Sequence, residues 1–202
     1  MRAMSERDAP GTREKLLMAA FEEIHLHGFQ GLRIDRLLEK TGLTKGAFYH
    51  HFKSKKALGY AVVDEVIARM IHDLWLEPLQ QSADPIDTIG TALSRKTDIL
   101  GEDFVVLGCP LNNLAQEMSP VDEGFRQKLQ TIFEGWVREI GAALAEGQKQ
   151  GIIRSDIDPA EAALFVVASF EGAFSLAKNA QSVRALEIGE RQLLRYLETL
   201  RP

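Results

Sequence analysis

The sequence has a single cysteine, Cys109, among 202 residues. That excludes an intrachain disulfide framework and any metal site built on several thiolates. Alternating Val/Ile/Thr runs are scarce, so little of the chain reads as strand. No apolar run approaches the roughly 20 residues a membrane span needs, and the opening MRAMSERDAPGTREK is polar and lacks an apolar signal segment. Both observations predict a cytoplasmic protein with no membrane partner. A nucleophile elbow, a phosphate-cradling glycine loop and clustered metal-ligand spacing are missing, which argues against an enzyme and predicts no metal or cofactor. His25 and His27 have no third ligand at metal spacing and read as ordinary helix-end residues. His50 and His51 lie on different sides of a helix and cannot chelate one metal.

What is present is helix-forming. Ala, Leu, Glu, Lys and Gln dominate, and the hydrophobic share of 45% suffices for a sizeable core. Net charge is −5, but residues 1–60 carry +4 and the remainder −9. A basic head on an acidic body is what a nucleic-acid contact confined to one end requires. Periodicity predicts helices over 12–27, capped by Thr12 and ended by Gly28, then 34–41, ended by Gly42, and 44–50, capped by Thr44. Ser54 starts a long helix from Lys55 to Trp75, stopped near Pro78. Further helices are predicted over 85–103, over 110–118 with Pro110 first, from Pro120 to 150, over 159–179 and over 183–200. The fold class is therefore all-α, with a head of residues 1–53 and a body of residues 54–202.

The sharpest signal is TKGAFYHHFKSKKAL, residues 44–58, which gathers four lysines, a tyrosine and two adjacent histidines. Helix, glycine turn and Thr-capped short helix form a helix-turn-helix signature, whose second helix enters the major groove. Thr44 and the free N–H groups beside it can meet a phosphate. Gly46 and Ala47 lack bulk and allow close approach. Lys45 reaches base edges or phosphates, and Tyr49 and His50 offer donors at the groove wall. Lys53 and Lys55 add charge that phosphates attract. Phe48 and Phe52 read as inward anchors.

The stretch GFQGLRIDRLLEKTGLTKGAFYHHFKSKKAL resembles the DNA-binding head of the TetR family of bacterial repressors. The matching features are Gly28-Phe29, Asp35, Gly42-Leu43-Thr44-Lys45-Gly46, Tyr49-His50-His51-Phe52 and Ser54-Lys55-Lys56-Ala57-Leu58. One departure stands out. The family usually carries Ser or Thr where Leu32-Arg33 stand, so here Arg33 can still reach a phosphate but the side-chain cap of the second helix is lost, at about 1 kcal/mol. The resemblance implies a homodimer on palindromic double-stranded operator DNA, released by a small-molecule inducer bound in the body.

Candidates for that inducer pocket are His72, Trp75, Phe104, Cys109, Phe133, Trp136, Phe165, Phe170 and Phe174, each of which could equally be core. Cys109 precedes Pro110 and so occupies a helix N-cap, where a lowered pKa would suit a thiol sensor of oxidants or electrophiles, with Lys178 as a cationic partner. The alternative is an inert packed thiol. Asn112, Asn113, Gln116 and Glu117 could fix a ligand or be solvated. Leu164, Val167, Ala168, Glu171, Phe174, Leu193, Leu194 and Leu197 are candidates for a pairing face, or for the monomer core. An interaction adaptor that keeps the head but not operator binding is the remaining alternative.

Overall fold

The computed structural model describes residues 11–100 and 106–202, and among them every regular element is helical, as expected. α1 is Thr12–Gly31, α2 Ile34–Thr41 and α3 Lys45–His51. α4 runs over residues 55–80 without a break. α5 is Pro85–Leu100, α6 Pro110–Met118, α7 Glu123–Lys149, α8 Pro159–Ala180 and α9 Arg184–Glu198.

Local chemistry explains most boundaries. Gly42, at φ 67°, closes α2 in the left-handed region. Thr44 and Ser54 cap α3 and α4 by accepting from Ala47 N at 3.2 Å and Ala57 N at 3.0 Å. Three boundaries differ from the reading of the sequence. Gly11, in left-handed backbone at φ 117°, takes the N-cap of α1, and Thr12 is its first helical residue. Asp122 caps α7 by accepting from Phe125 N at 3.0 Å, so the helix begins after Pro120 and not on it. Pro78 does not stop α4. The helix widens to i→i+5 hydrogen bonding at Val62–Ile67 and again at His72–Leu76, and Pro78 falls in the first turn after the second widening, where a missing N–H is tolerated.

The core is one continuous apolar cluster from Leu16, Leu37 and Phe48 in the head to Leu193, Leu197 and Leu200 at the other end. α7 buries Phe125, Leu129, Trp136, Ile140 and Leu144 along one face, at the spacing of an amphipathic helix. α8 packs between α7 and α9. By length and composition α8 is apolar enough to cross a membrane, a correction to the expectation that no run approaches that length; half of that stretch is buried inside the protein. The C-terminus is tied down: Leu200 O accepts from Arg154 N at 2.8 Å, and Arg201 pairs with Asp84 at 2.7 Å and Asp87 at 2.8 Å.

Candidate functional site

α3 is a short helix seated by its apolar side. Phe48, at the middle of the helix, and Phe52, at its C-cap, are buried, and Thr44, Lys45, Gly46, Tyr49, His50 and Lys53 are exposed. Ala47 is half-buried. Lys45 Nζ lies 3.1 Å from Asp35 on α2, which holds the ammonium over the turn. Arg33 is exposed at the start of α2 and makes no side-chain cap, as its sequence position implies. Lys55 is placed otherwise. Its Nζ donates to Gln30 O at 3.0 Å and sits 5.0 Å from the Phe29 ring, so burial lowers its pKa and its charge faces α1 rather than outward.

A set of polar contacts fastens this head to the body. α1 breaks at Gly28, φ 74°, and resumes for one turn. The freed N–H groups of Phe29 and Gln30 donate to the Glu117 carboxylate of α6 at 2.9 and 2.8 Å. The positive φ of Gly28 favours glycine, and a Cβ there would stand 2.8 Å from Glu117 Oε2 and push the carboxylate off its partners. Three residues earlier, His25 Nε2 lies 2.7 Å from Gly108 O, and burial lowers the pKa of that ring. Arg13 makes a two-pronged pair with Glu65 of α4 at 2.5 and 2.6 Å. Asp122 takes Lys56 and the Tyr60 hydroxyl, each at 2.6 Å, and this holds its carboxyl well below the usual carboxylate range. At Gly59 a Cβ would collide with the Phe29 ring and stand 2.8 Å from Phe125 Cζ, so side chains of α1 and α7 pack directly on the α4 backbone there.

Inside the body, α4, α6, α7 and α8 converge on an aromatic cluster. Trp75 lies 5.0 Å from both Trp136 and Phe170, and Phe170 lies 4.9 Å from Phe174, ring centre to ring centre. Cys109 closes one wall of an apolar cleft beside Trp75, Phe170 and Phe174. Burial, and next the neighbouring Glu171 carboxylate, push the Cys109 thiol well above its ordinary range. This is the opposite of the lowered value that its N-cap position suggests, because desolvation and the Glu171 carboxylate outweigh the lowering effect of the Asn112 and Leu111 N–H groups at the helix end. Lys178 donates to Asn113 Oδ1 at 2.9 Å. Glu171 is 6% exposed, and burial pushes its pKa up to about 7.

Of the pocket candidates, Trp75, Trp136, Phe170, Phe174 and Cys109 thus come together. Phe133 is half-buried against the same core. His72 is exposed, with Nδ1 3.0 Å from Asp73 Oδ1, away from the cleft. Phe165 is half exposed and packs on Tyr196 at 4.6 Å. Phe104 lies outside the described residues. Of the pairing-face candidates, Leu164, Ala168 and Leu194 are exposed, and Val167, Glu171, Phe174, Leu193 and Leu197 are buried. Sequence reasoning misses the structural parts of His25, Glu117 and Glu171. A signal exists for Glu171, the only charged residue in the run ALFVVASFEGAFSLA.

Comparison with known proteins agrees with this geometry. Residues 16–62 match the model of bacterial regulatory proteins of the tetR family, and residues 85–193 match the tetracyclin repressor-like C-terminal domain. The chain is 30% identical to the HTH-type transcriptional repressor DhaR of Mycobacterium sp. (strain GP1) over 72% of each chain. It is similar to the crystal structure of E. coli NemR in its reduced form, at 27% identity and TM-score 0.80, covering 90% of this chain and 94% of that one. It is similar also to the crystal structure of regulatory protein TetR from Rhodobacter sphaeroides, at 25% identity and TM-score 0.82, covering 92% and 98%.

Proposed function

The chain belongs to the tetR family of bacterial regulatory proteins, and from that membership we propose that it is a cytoplasmic repressor which a small molecule releases from a palindromic operator. It is a helix-turn-helix, DNA-binding transcriptional regulator. Residues 1–53 act as the reading head and residues 54–202 as the inducer-binding and pairing body. The observation that carries the reading is the α3 face: Thr44, Lys45, Gly46, Tyr49 and His50 stand exposed on a helix that buried Phe48 and Phe52 hold rigid. Arg33 and Lys53 flank it within reach of phosphates, and Lys55 acts by anchoring the α1–α4 junction.

One short helix reads only a few base pairs, so two copies related by a two-fold axis suit a palindrome. Leu164 (59% exposed) and Leu176 (64%) on α8, with Ile188 and Leu194 on α9, supply apolar surface for such a pairing. α4 starts at the head, passes Trp75 and is the natural lever. An inducer that binds better to the DNA-incompetent spacing of the two heads shifts the population toward it. This role asks no catalytic chemistry of the chain.

The test is selection of genomic fragments by the purified protein, followed by gel retardation with Lys45→Ala and Tyr49→Ala variants. Affinity for the selected fragments falls at least tenfold in each variant, with the fold intact by circular dichroism. Unchanged affinity in both would overturn the assignment of α3 and favour an adaptor.

A further inference from the structure

The aromatic cluster in the body leaves polar groups without partners. Both carboxylate oxygens of Glu171 are buried with no nitrogen or oxygen partner, and the polar group beside them is the Cys109 thiol, a weak donor. Trp75 Nε1 and Trp136 Nε1 are buried and equally unpartnered. Roughly nine in ten buried polar groups in folded proteins find a partner, so their gathering around one cluster calls for an explanation. Next to them lies the cleft lined by Met70, Trp75, Cys109, Leu111, Phe170 and Phe174. In this structure the cleft has about 20 Å³ of free space, room for a single water.

The chemistry of the surroundings selects the guest. An anion meets repulsion from Glu171, and a neutral hydrocarbon leaves the carboxylate still bare. A cation satisfies it and gains in addition from the faces of the indole and phenyl rings. We propose that Glu171 is the ionic anchor of the inducer site, and that the inducer is a small organic cation: an aromatic or apolar body seated among Trp75, Phe170 and Phe174, with a protonated nitrogen paired to the Glu171 carboxylate. This rests on the body being an inducer-binding domain. The wall that yields to admit the guest is α4. Its two widened turns, Val62–Ile67 and His72–Leu76, flank Met70, an unbranched side chain that repacks readily, and each such turn holds one residue more than an α-helical turn. Entry of the guest therefore moves the helix that begins at the DNA head.

Both tryptophans of the chain lie in this cluster, so intrinsic fluorescence reports on it directly. The purified full-length protein is titrated at pH 8 with benzylammonium, benzyl alcohol and benzoate. Benzylammonium produces a saturable change at least tenfold tighter than benzyl alcohol, and benzoate produces none. Glu171→Gln weakens benzylammonium binding at least tenfold, and Glu171→Asp, which keeps the charge, restores part of it. A non-saturating response to benzylammonium, a preference for benzoate, or a Glu171→Gln variant that binds as wild type overturns the proposal. Gel retardation run in parallel separates the two readings. Protein that retards no genomic fragment sinks the repressor reading, whereas the fluorescence titration alone decides the cation site.

Discussion

Glu171→Gln also makes a prediction about stability that needs no ligand. Burial raises the carboxyl from its ordinary 4.5 to about 7 in the folded protein, with the contact to the Cys109 thiol acting the other way. Between those two values the folded chain binds more protons than the unfolded chain, so stability falls as pH rises through the window and the loss is complete above the upper one. At about 1.4 kcal/mol per pH unit, the interval from 4.5 to about 7 corresponds to about 3 kcal/mol. Glutamine mimics the protonated acid in shape and lack of charge. The variant is therefore close to wild type in stability at pH 5 and more stable by about 3 kcal/mol at pH 8. For a chain of this length that is roughly 6–12 °C in Tm. His25 titrates in the opposite sense, since its lowered pKa removes stability as pH falls below its ordinary value, but both proteins share it and it cancels in the difference. Thermal unfolding of the two proteins from pH 5 to pH 8, at one protein concentration, gives the answer. A Tm difference that does not change across the range would refute the reasoning, because it would mean that Glu171 carries no protonation cost.

Glu117→Ala leaves the N–H groups of Phe29 and Gln30 without acceptors and costs about 1–2 kcal/mol by denaturant unfolding. It also loosens the α1–α6 joint, so operator affinity becomes less sensitive to inducer in the same retardation assay. Gly59→Ala overpacks the α1–α4–α7 crossing and destabilises by roughly 1–3 kcal/mol, read by urea midpoint. Thr44→Ala removes the cap of α3, and the associated loss of about 1 kcal/mol appears both in folding and in operator binding. For Lys45→Ala, the slope of log K against log salt becomes shallower by about 1, whereas a slope equal to wild type would mean that Lys45 neutralises no phosphate.

The head is legible in the sequence because its determinants are local. Thr44 and Ser54 cap within three residues, Gly42 takes the left-handed turn, and Phe48 on α3 and Phe52 at its C-cap are the buried anchors. Lys55 is a charge of the right sign at the right place in the chain, but only the fold brings Gln30 O close enough to claim its ammonium. The body is legible as a pattern and not as a site. Spacing marks Trp136 and Phe170 as apolar positions that prove buried, yet it groups Glu171 with Leu164, Val167, Ala168 and Phe174 as a pairing face or core without separating the exposed from the buried. The Cys109 end of α6 lies against that part of α8, and there the carboxylate is buried. His72 is a pocket candidate by the sequence, but α4 turns Ile71, Leu74 and Trp75 inward and leaves His72 outside. Pro85, Pro110 and Pro159 open helices as read from the sequence, whereas Pro78 does not stop α4 and Pro120 does not open α7, because tolerance of a missing N–H and the choice of cap depend on the turn around each one.

Footprinting of the protein on its selected genomic fragments, with the mass of the complex determined on the same sample, tests the central claim most directly. The account predicts two protomers on one inverted repeat, with protection centred on half-sites about 34 Å apart or a multiple of that spacing. A single protomer on DNA, or protection without an inverted repeat, would contradict it.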